Sequence, residues 1–259
     1  MRVLRLLLFL LLPAALSLST TARAQNAQEV IARADVARNP DRPFRLTSTL
    51  SDFVGGKLRD QEQLAVYASP NHATGQFRNL VRYVAPPRDA GKVALLDGTA
   101  LWFYDPASKA SVRISPQQRL IGQAAIGDVL TVNLAVDYAG KLLGVEPIQD
   151  AGRQMRTCWH LDMQASNSLA TYRRVEYWVE QNSFQPIKAR FFSDSGRMLK
   201  ILYYRGYREV LGASRPTEAV IIDAVDSSLV TLVTFSDWRF QDVPEAWFQR
   251  DYLARLPAE

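Results

Sequence analysis

The chain has 259 residues, with 31 Lys and Arg against 26 Asp and Glu, two His and one Cys. A lone Cys cannot form an internal bridge, which excludes a disulfide-stapled module. No basic tract or finger-like spacing marks a nucleic-acid footprint, and past the first two dozen residues no apolar run reaches the length of a membrane helix.

The first element is a leader over residues 1–24. Arg2 and Arg5 open it, Leu6–Leu16 is its apolar stretch, and Ala22-Arg23-Ala24 closes it with small residues at the spacing of a cleavage site. Its removal takes three Arg and no acid, so the basic surplus falls from five to two. Residues 25–259 are expected to form a single domain in an extracytoplasmic compartment, since no Ser/Gly/Pro-rich linker divides them. No Cys follows the leader to carry a lipid anchor.

Val30, Ile31, Ala34 and Ala37 recur near helical spacing, and "NPDRP" ends that helix. From Phe44 the period becomes two. "FRLTSTLSDFVG", "QLAVYAS", "QFRNLVRYVAPP", "VALLDG", "TALWFYDP" and "ASVRI" read as an antiparallel meander broken at Gly, Pro, Asn and Asp. Ser115–Pro147 is the least strand-like part, and two or three short helices are expected there, one over "DVLTVNLAVDYAGKLLG", with a strand over "VLTVNLAVD" as the alternative. Strands resume from "RTCWHLDMQA" to "SLVTLVTFSDWRF", and a short helix or turn over "VPEAWFQRDYLARL" closes the chain. The expected fold is mainly β with α: a large curved antiparallel sheet, a half-barrel of about eleven strands, with helices covering its concave face.

Catalytic signals are thin. His72 lies in a turn, and Cys158 and His160 share one strand face but supply only two metal ligands. No G-x-S-x-G frame occurs, and most of the Asp residues near strand ends read as turn caps. Neither a metal nor another cofactor is indicated. The aromatics are the richer signal. Trp102 and Tyr104 share a strand face opposite Phe103, Tyr177 and Val179 oppose Trp178, and Phe191/Phe192 and Tyr203/Tyr204 point opposite ways. Both faces of several strands are therefore apolar, which suits either a cavity wall or a filled core. Lys188, Arg190, Lys200 and Arg205 lie nearby, at a cavity rim or on a solvated face.

"LWFYDP", "WVEQNSFQPIKARFFSDSGRMLK" and "VPEAWFQRDYL", in that order after a leader and a helix, resemble the outer-membrane lipoprotein-sorting protein family, relatives of the periplasmic lipoprotein carrier and of the lipoprotein-receptor fold. The resemblance implies a half-barrel with a helical lid over an apolar cavity that shields acyl chains in the periplasm, without catalysis. It admits an inner-membrane transporter and an outer-membrane acceptor as partners. The cavity is expected to draw on Trp102, Tyr104, Trp178, Phe191 and Tyr203, and the lid on Ile121, Ala125, Ile126, Val129 and Leu130. Where relatives carry a "GSDFSYEDL"-like stretch this chain has "GQAAIGDVL", Gly122–Leu130. Two glycines inside a helix would cost about 1 kcal/mol each, so this stretch is expected to be the weakly held part of the lid. Two other readings stand beside the carrier: an accessory module of an envelope transporter that loads no lipid, and, more remotely, a hydrolase.

Overall fold

The computed structural model describes residues 26–98 and 100–257, so the leader read at 1–24 falls outside the described residues. Helix α1 (Ala27–Arg38) starts where Asn26 accepts a hydrogen bond from the Gln28 amide at 3.0 Å, and buries Val30, Ile31 and Ala34 along one stripe. The Arg215 guanidinium donates to the Val36 and Ala37 carbonyls at its C-terminal end (3.1 and 3.4 Å).

A first meander follows: β1 (Phe44–Val54), β2 (Lys57–Asn71), β3 (Gln76–Ala85), β4 (Val93–Asp97), β5 (Ala100–Asp105) and β6 (Ala110–Ile114). The segment 115–137 holds the small hairpin β7 (Arg119–Ile121) and β8 (Ala124–Ala125), a 3-10 turn (Ile126–Asp128) and the one-turn helix α2 (Leu134–Asp137). A second meander is β9 (Tyr138–Gln149), β10 (Met155–Ala165), β11 (Arg174–Glu180), β12 (Pro186–Phe192) and β13 (Met198–Arg205). The hairpin β14 (Arg208–Val210) and β15 (Ala213–Arg215) precedes β16 (Glu218–Asp223) and β17 (Leu229–Phe240). Strand β17 pairs antiparallel with β1, Leu50 opposite Val233, and this long-range pairing joins both meanders into one curved thirteen-stranded sheet. Its order is β6-β5-β4-β3-β2-β1-β17-β16-β13-β12-β11-β10-β9, and it does not close into a barrel.

That order decides where the middle segment must go. Strands β6 and β9 are the two opposite edges, so residues 115–137 cross from one edge to the other as a strap. The expected helix over "DVLTVNLAVDYAGKLLG" is not found: only Leu134–Asp137 is helical, and the alternative strand over "VLTVNLAVD" is absent too. Tyr138–Gln149 is instead an edge strand paired to β10, Tyr138 opposite Ala165, and is one of the strands by which the thirteen-stranded sheet exceeds the expected eleven or so. Gly140, Gly144 and Pro147 are poor helix residues, and an edge tolerates Pro. A side chain at position 140 would also meet Ile31 Cδ1 at 2.4 Å, so Gly140 lets α1 lie close on β9.

The sheet buries two different layers. On the concave face Leu46, Leu50, Leu64, Val66, Val81 and Leu96 of the first meander join Leu161, Val175, Tyr177, Phe191 and Leu202 of the second in one core with α1 and the strap. On the outer face the chain's end returns as two 3-10 helices, Glu245–Phe248 and Arg250–Arg255, whose Phe248 and Leu253 pack on Ala65, Tyr67, Leu80 and Leu95.

Candidate functional site

The strap is fastened across the concave face by polar clasps. Asn79 of β3 exchanges two hydrogen bonds with the Thr131 backbone, both at 2.8 Å, and Gln76 does the same with Asn133 at 2.7 and 3.1 Å. From α1, the Asp35 carboxylate accepts from the Ala135 amide (2.8 Å) and from Arg38 (2.7 Å), while Arg38 also reaches the Val132 carbonyl (3.0 Å). Burial pushes the Asp35 carboxyl above the usual range, with Arg38 opposing. On the β13 side, Lys200 Nζ pairs with the Asp128 carboxylate and donates to the Gln123 carbonyl at 3.0 Å. Both charged side chains are 5% exposed. Asp128 also accepts from the Ala125 amide (2.7 Å) and the Tyr172 hydroxyl (3.0 Å). Lys200 is thus neither a rim cation nor a solvated one; it is the ammonium of a buried latch.

The expectation of a weakly held strap at 122–130 is therefore corrected. Ile121, Ala125, Ile126, Val129 and Leu130 are all buried against the sheet. Gly122 has φ +53°, and a Cβ there would lie 2.3 Å from Asp52 Oδ1 and 2.4 Å from Thr231 Oγ1, the hydroxyl that accepts from the Gln123 amide. This glycine is not a defect inside a helix; it lets the strap's backbone touch the sheet.

Between sheet and strap lies a cavity of about 70 Å³, with Leu130, Tyr172, Val175, Phe191, Leu202 and Tyr204 in its wall. Ligand pockets run to roughly 300–1,000 Å³, so this cavity is well below the size of one that holds a lipid. The Tyr177 hydroxyl on the wall is buried without a hydrogen-bond partner.

Of the five aromatics expected on the cavity, the structure places only Phe191 there. Trp102 and Tyr104 belong to the outer-face cluster under the C-terminal 3-10 helices, and Arg250 lies over the Trp102 ring at 4.9 Å. Trp178 is also on the outer face, packed with Cys158 and Ile187 and stacked on His160 at 4.3 Å. Lys188 sits between Trp178 and Tyr203, 5.3 and 5.2 Å from their ring centroids, which puts Tyr203 on that side too. Alternation then sends their neighbours Tyr177, Leu202 and Tyr204 inward. Arg190 also lies over Trp178, and Arg205 pairs with Glu218 at 2.6 Å. Cys158 is fully buried, and burial pushes its thiol up to about 12, where thiolate is scarce. His160 Nδ1 lies 3.1 Å from Glu146, which also accepts from Trp178 Nε1 at 2.6 Å. Among the described residues no group of three or more His, Cys, Asp or Glu is placed to hold a metal.

A LolA superfamily protein from Nitrosomonas europaea is 31% identical to this chain, which covers all of it over 88% of its own length with a TM-score of 0.78. The chain belongs to the LolA superfamily. A family model described as "Uncharacterized protein" matches residues 75–255. A putative outer membrane lipoprotein-sorting protein domain from Vibrio parahaemolyticus shares the fold at 18% identity, a TM-score of 0.73, and coverage of 88% of this chain and 98% of that one. No curated protein matches the sequence. Within this LolA-superfamily chain no helix of the described residues is long and apolar enough to cross a membrane.

Proposed function

We propose that this LolA-superfamily chain is a periplasmic carrier or chaperone that takes acyl chains of lipoproteins or other envelope lipids between its sheet and strap, for transfer toward the outer membrane. The observation that carries this reading is the character of the cover. The concave face is a continuous buried apolar surface, and the strap that lies on it adds only a few aliphatic side chains of its own to clasps made of hydrogen bonds and one ion pair, which can be exchanged for water. Each buried CH₂ contributes about 0.8 kcal/mol, so a chain of about sixteen carbons stands to gain on the order of 12 kcal/mol by leaving water for such a surface. That gain offsets the parting of the strap. No chemistry on the cargo is needed; the donor and the acceptor in the two membranes are the partners such a role requires.

One observation favours a second reading. The apolar cavity beneath residues 127–137 of the strap is only about 70 Å³, which suits an accessory module that never loads lipid. Titration of delipidated protein with a fluorescent fatty acyl probe, in competition with a diacyl lipid, separates the two. Saturable, competable binding is expected for the carrier. Absence of binding across several envelope lipids, with a membrane protein but no lipid co-purifying, would establish the accessory role instead.

A further inference from the structure

A second, larger opening lies under the start of the strap. Its volume is about 520 Å³, and it is a cleft open to solvent, lined by residues of β1, β2, β3, β5 and β6, by residues 88–92 of the loop after β3, and by residues 118–122 and 126. Phe103, Ile114, Ile121 and Ile126 give it apolar walls. Glu62, on the inner face of β2 in step with Leu64 and Val66, lines it at 6% exposure, and Glu62 Oε1 has no hydrogen-bond donor.

Three of the four cations lining the pocket are already committed, and the fourth, Arg119, is exposed at its rim. Arg59 donates to Asp52 Oδ2 (2.7 Å from Nε), Arg88 to Asp60 (2.9 Å) and Asp89 (3.0 Å), and Lys92 to Asp89 (2.6 Å). Asp52 is also buried, with its Oδ1 unpartnered beneath Gly122. An anionic ligand would have to break one of these ion pairs or rely on the exposed Arg119 alone, and would be set against the carboxylates of Glu62 and Asp52. A cation would break none and would supply the donor that Glu62 lacks.

We propose that this pocket binds a primary ammonium group at Glu62, with the attached hydrocarbon lying on Phe103, Ile114 and Ile126. The assignment goes beyond the carrier reading and does not depend on it. Burial, reinforced by Asp89 and Asp60 and opposed by Arg88 and Lys92, pushes the Glu62 carboxyl up to about 7, so the ammonium should bind better as pH rises through that value. Tyr83, whose phenol burial pushes far up, stays neutral beside it.

The test is calorimetric titration of the purified protein with decylammonium, decanol and decanoate. At pH 8 decylammonium is expected to bind at least tenfold more tightly than decanol, with the preference lost in Glu62→Gln and much reduced in the unmodified protein at pH 5.5. Glu62→Leu, checked for folding by circular dichroism, guards against an effect peculiar to the amide. Equal binding of amine and alcohol, a preference that survives Glu62→Gln, or no amine binding at all would overturn the proposal. Chain length separates it from the carrier reading: failure of the carrier alone leaves a Glu62-dependent amine preference that does not grow from hexyl to decyl. Micelles of diacyl phosphoethanolamine against diacyl phosphoglycerol, set beside free ethanolamine, then distinguish a lipid headgroup from a soluble amine as the source.

Discussion

Replacing Lys200 by Met removes the ammonium from the buried latch while keeping much of its stem volume. Breaking a buried ion pair by removing one partner typically costs 3–5 kcal/mol. Asp128 keeps the Ala125 amide and the Tyr172 hydroxyl as donors, so the lower end, about 3 kcal/mol, is the expected loss. The interest lies in where that loss appears. The latch joins the strap to β13 and no other strand, so the strap should open locally about a hundredfold more often while the sheet stays intact. Native-state amide exchange reads this directly at Gln123 and Thr131, whose N–H groups are bonded across to the Thr231 hydroxyl and the Asn79 side chain of the sheet. Uptake of the acyl probe should quicken in parallel, and adding Asp128→Asn should restore part of the protection by removing the orphaned charge. If strap and sheet amides accelerated together, the strap would have no separate opening and the carrier mechanism would lose its gate.

Three further outcomes follow from the same geometry. Gly122→Ala forces a methyl onto Asp52 and Thr231 at positive φ and should cost about 2 kcal/mol, read as a lower denaturant midpoint with an unchanged slope. Leu202→Trp, which fills the cavity, should weaken acyl-probe binding at least tenfold, whereas Tyr203→Ala and Trp178→Ala on the outer face should leave it within twofold. Glu62 has a folded-state carboxyl at about 7 against an ordinary 4.5, so the folded state holds its proton more tightly; that advantage is complete below pH 4.5 and gone above 7. The stability of the unmodified protein relative to Glu62→Gln should therefore fall by about 3 kcal/mol between pH 4.5 and 8, measured by urea denaturation.

The strands were legible because a period of two with turn residues at the breaks is a local signal, and α1 because its apolar spacing and its proline stop lie in the chain beside it. Which strand face looks inward was not legible. Leu101 and Phe103 go to the concave side and Trp102 and Tyr104 to the outer side, but both pairs are apolar, and the outer pair is apolar because Phe248 and Leu253 return from far along the chain to cover it. Helical spacing could not place the strap either. Its residues are chosen for clasps to Asn79, Gln76, Asp35 and Lys200, contacts that no local window contains. Lys200 and Glu62 read as ordinary charged positions on alternating strands; what makes them distinctive is burial beneath the strap.

The strap's form follows from the distance it must cover. Thirteen strands at roughly 4.8 Å spacing make an arc of about 58 Å from β6 to β9. Residues 115–137 as one helix would rise about 35 Å, drawing the sheet edges much closer together, whereas at full stretch they reach about 76 Å. A mostly irregular strap has length to spare, so its distance from the sheet is set by the clasps and not by its tethered ends. Releasing Lys200 from Asp128 and Asn79 from Thr131 gives it slack to lift while β6 and β9 keep their pairing. Loading with lipid should therefore speed amide exchange across 123–127 and leave β10 and β11 as slow as in the empty protein. Faster exchange in β10 and β11 on loading would mean that cargo is admitted by parting strands, and the clasps would then be mere packing.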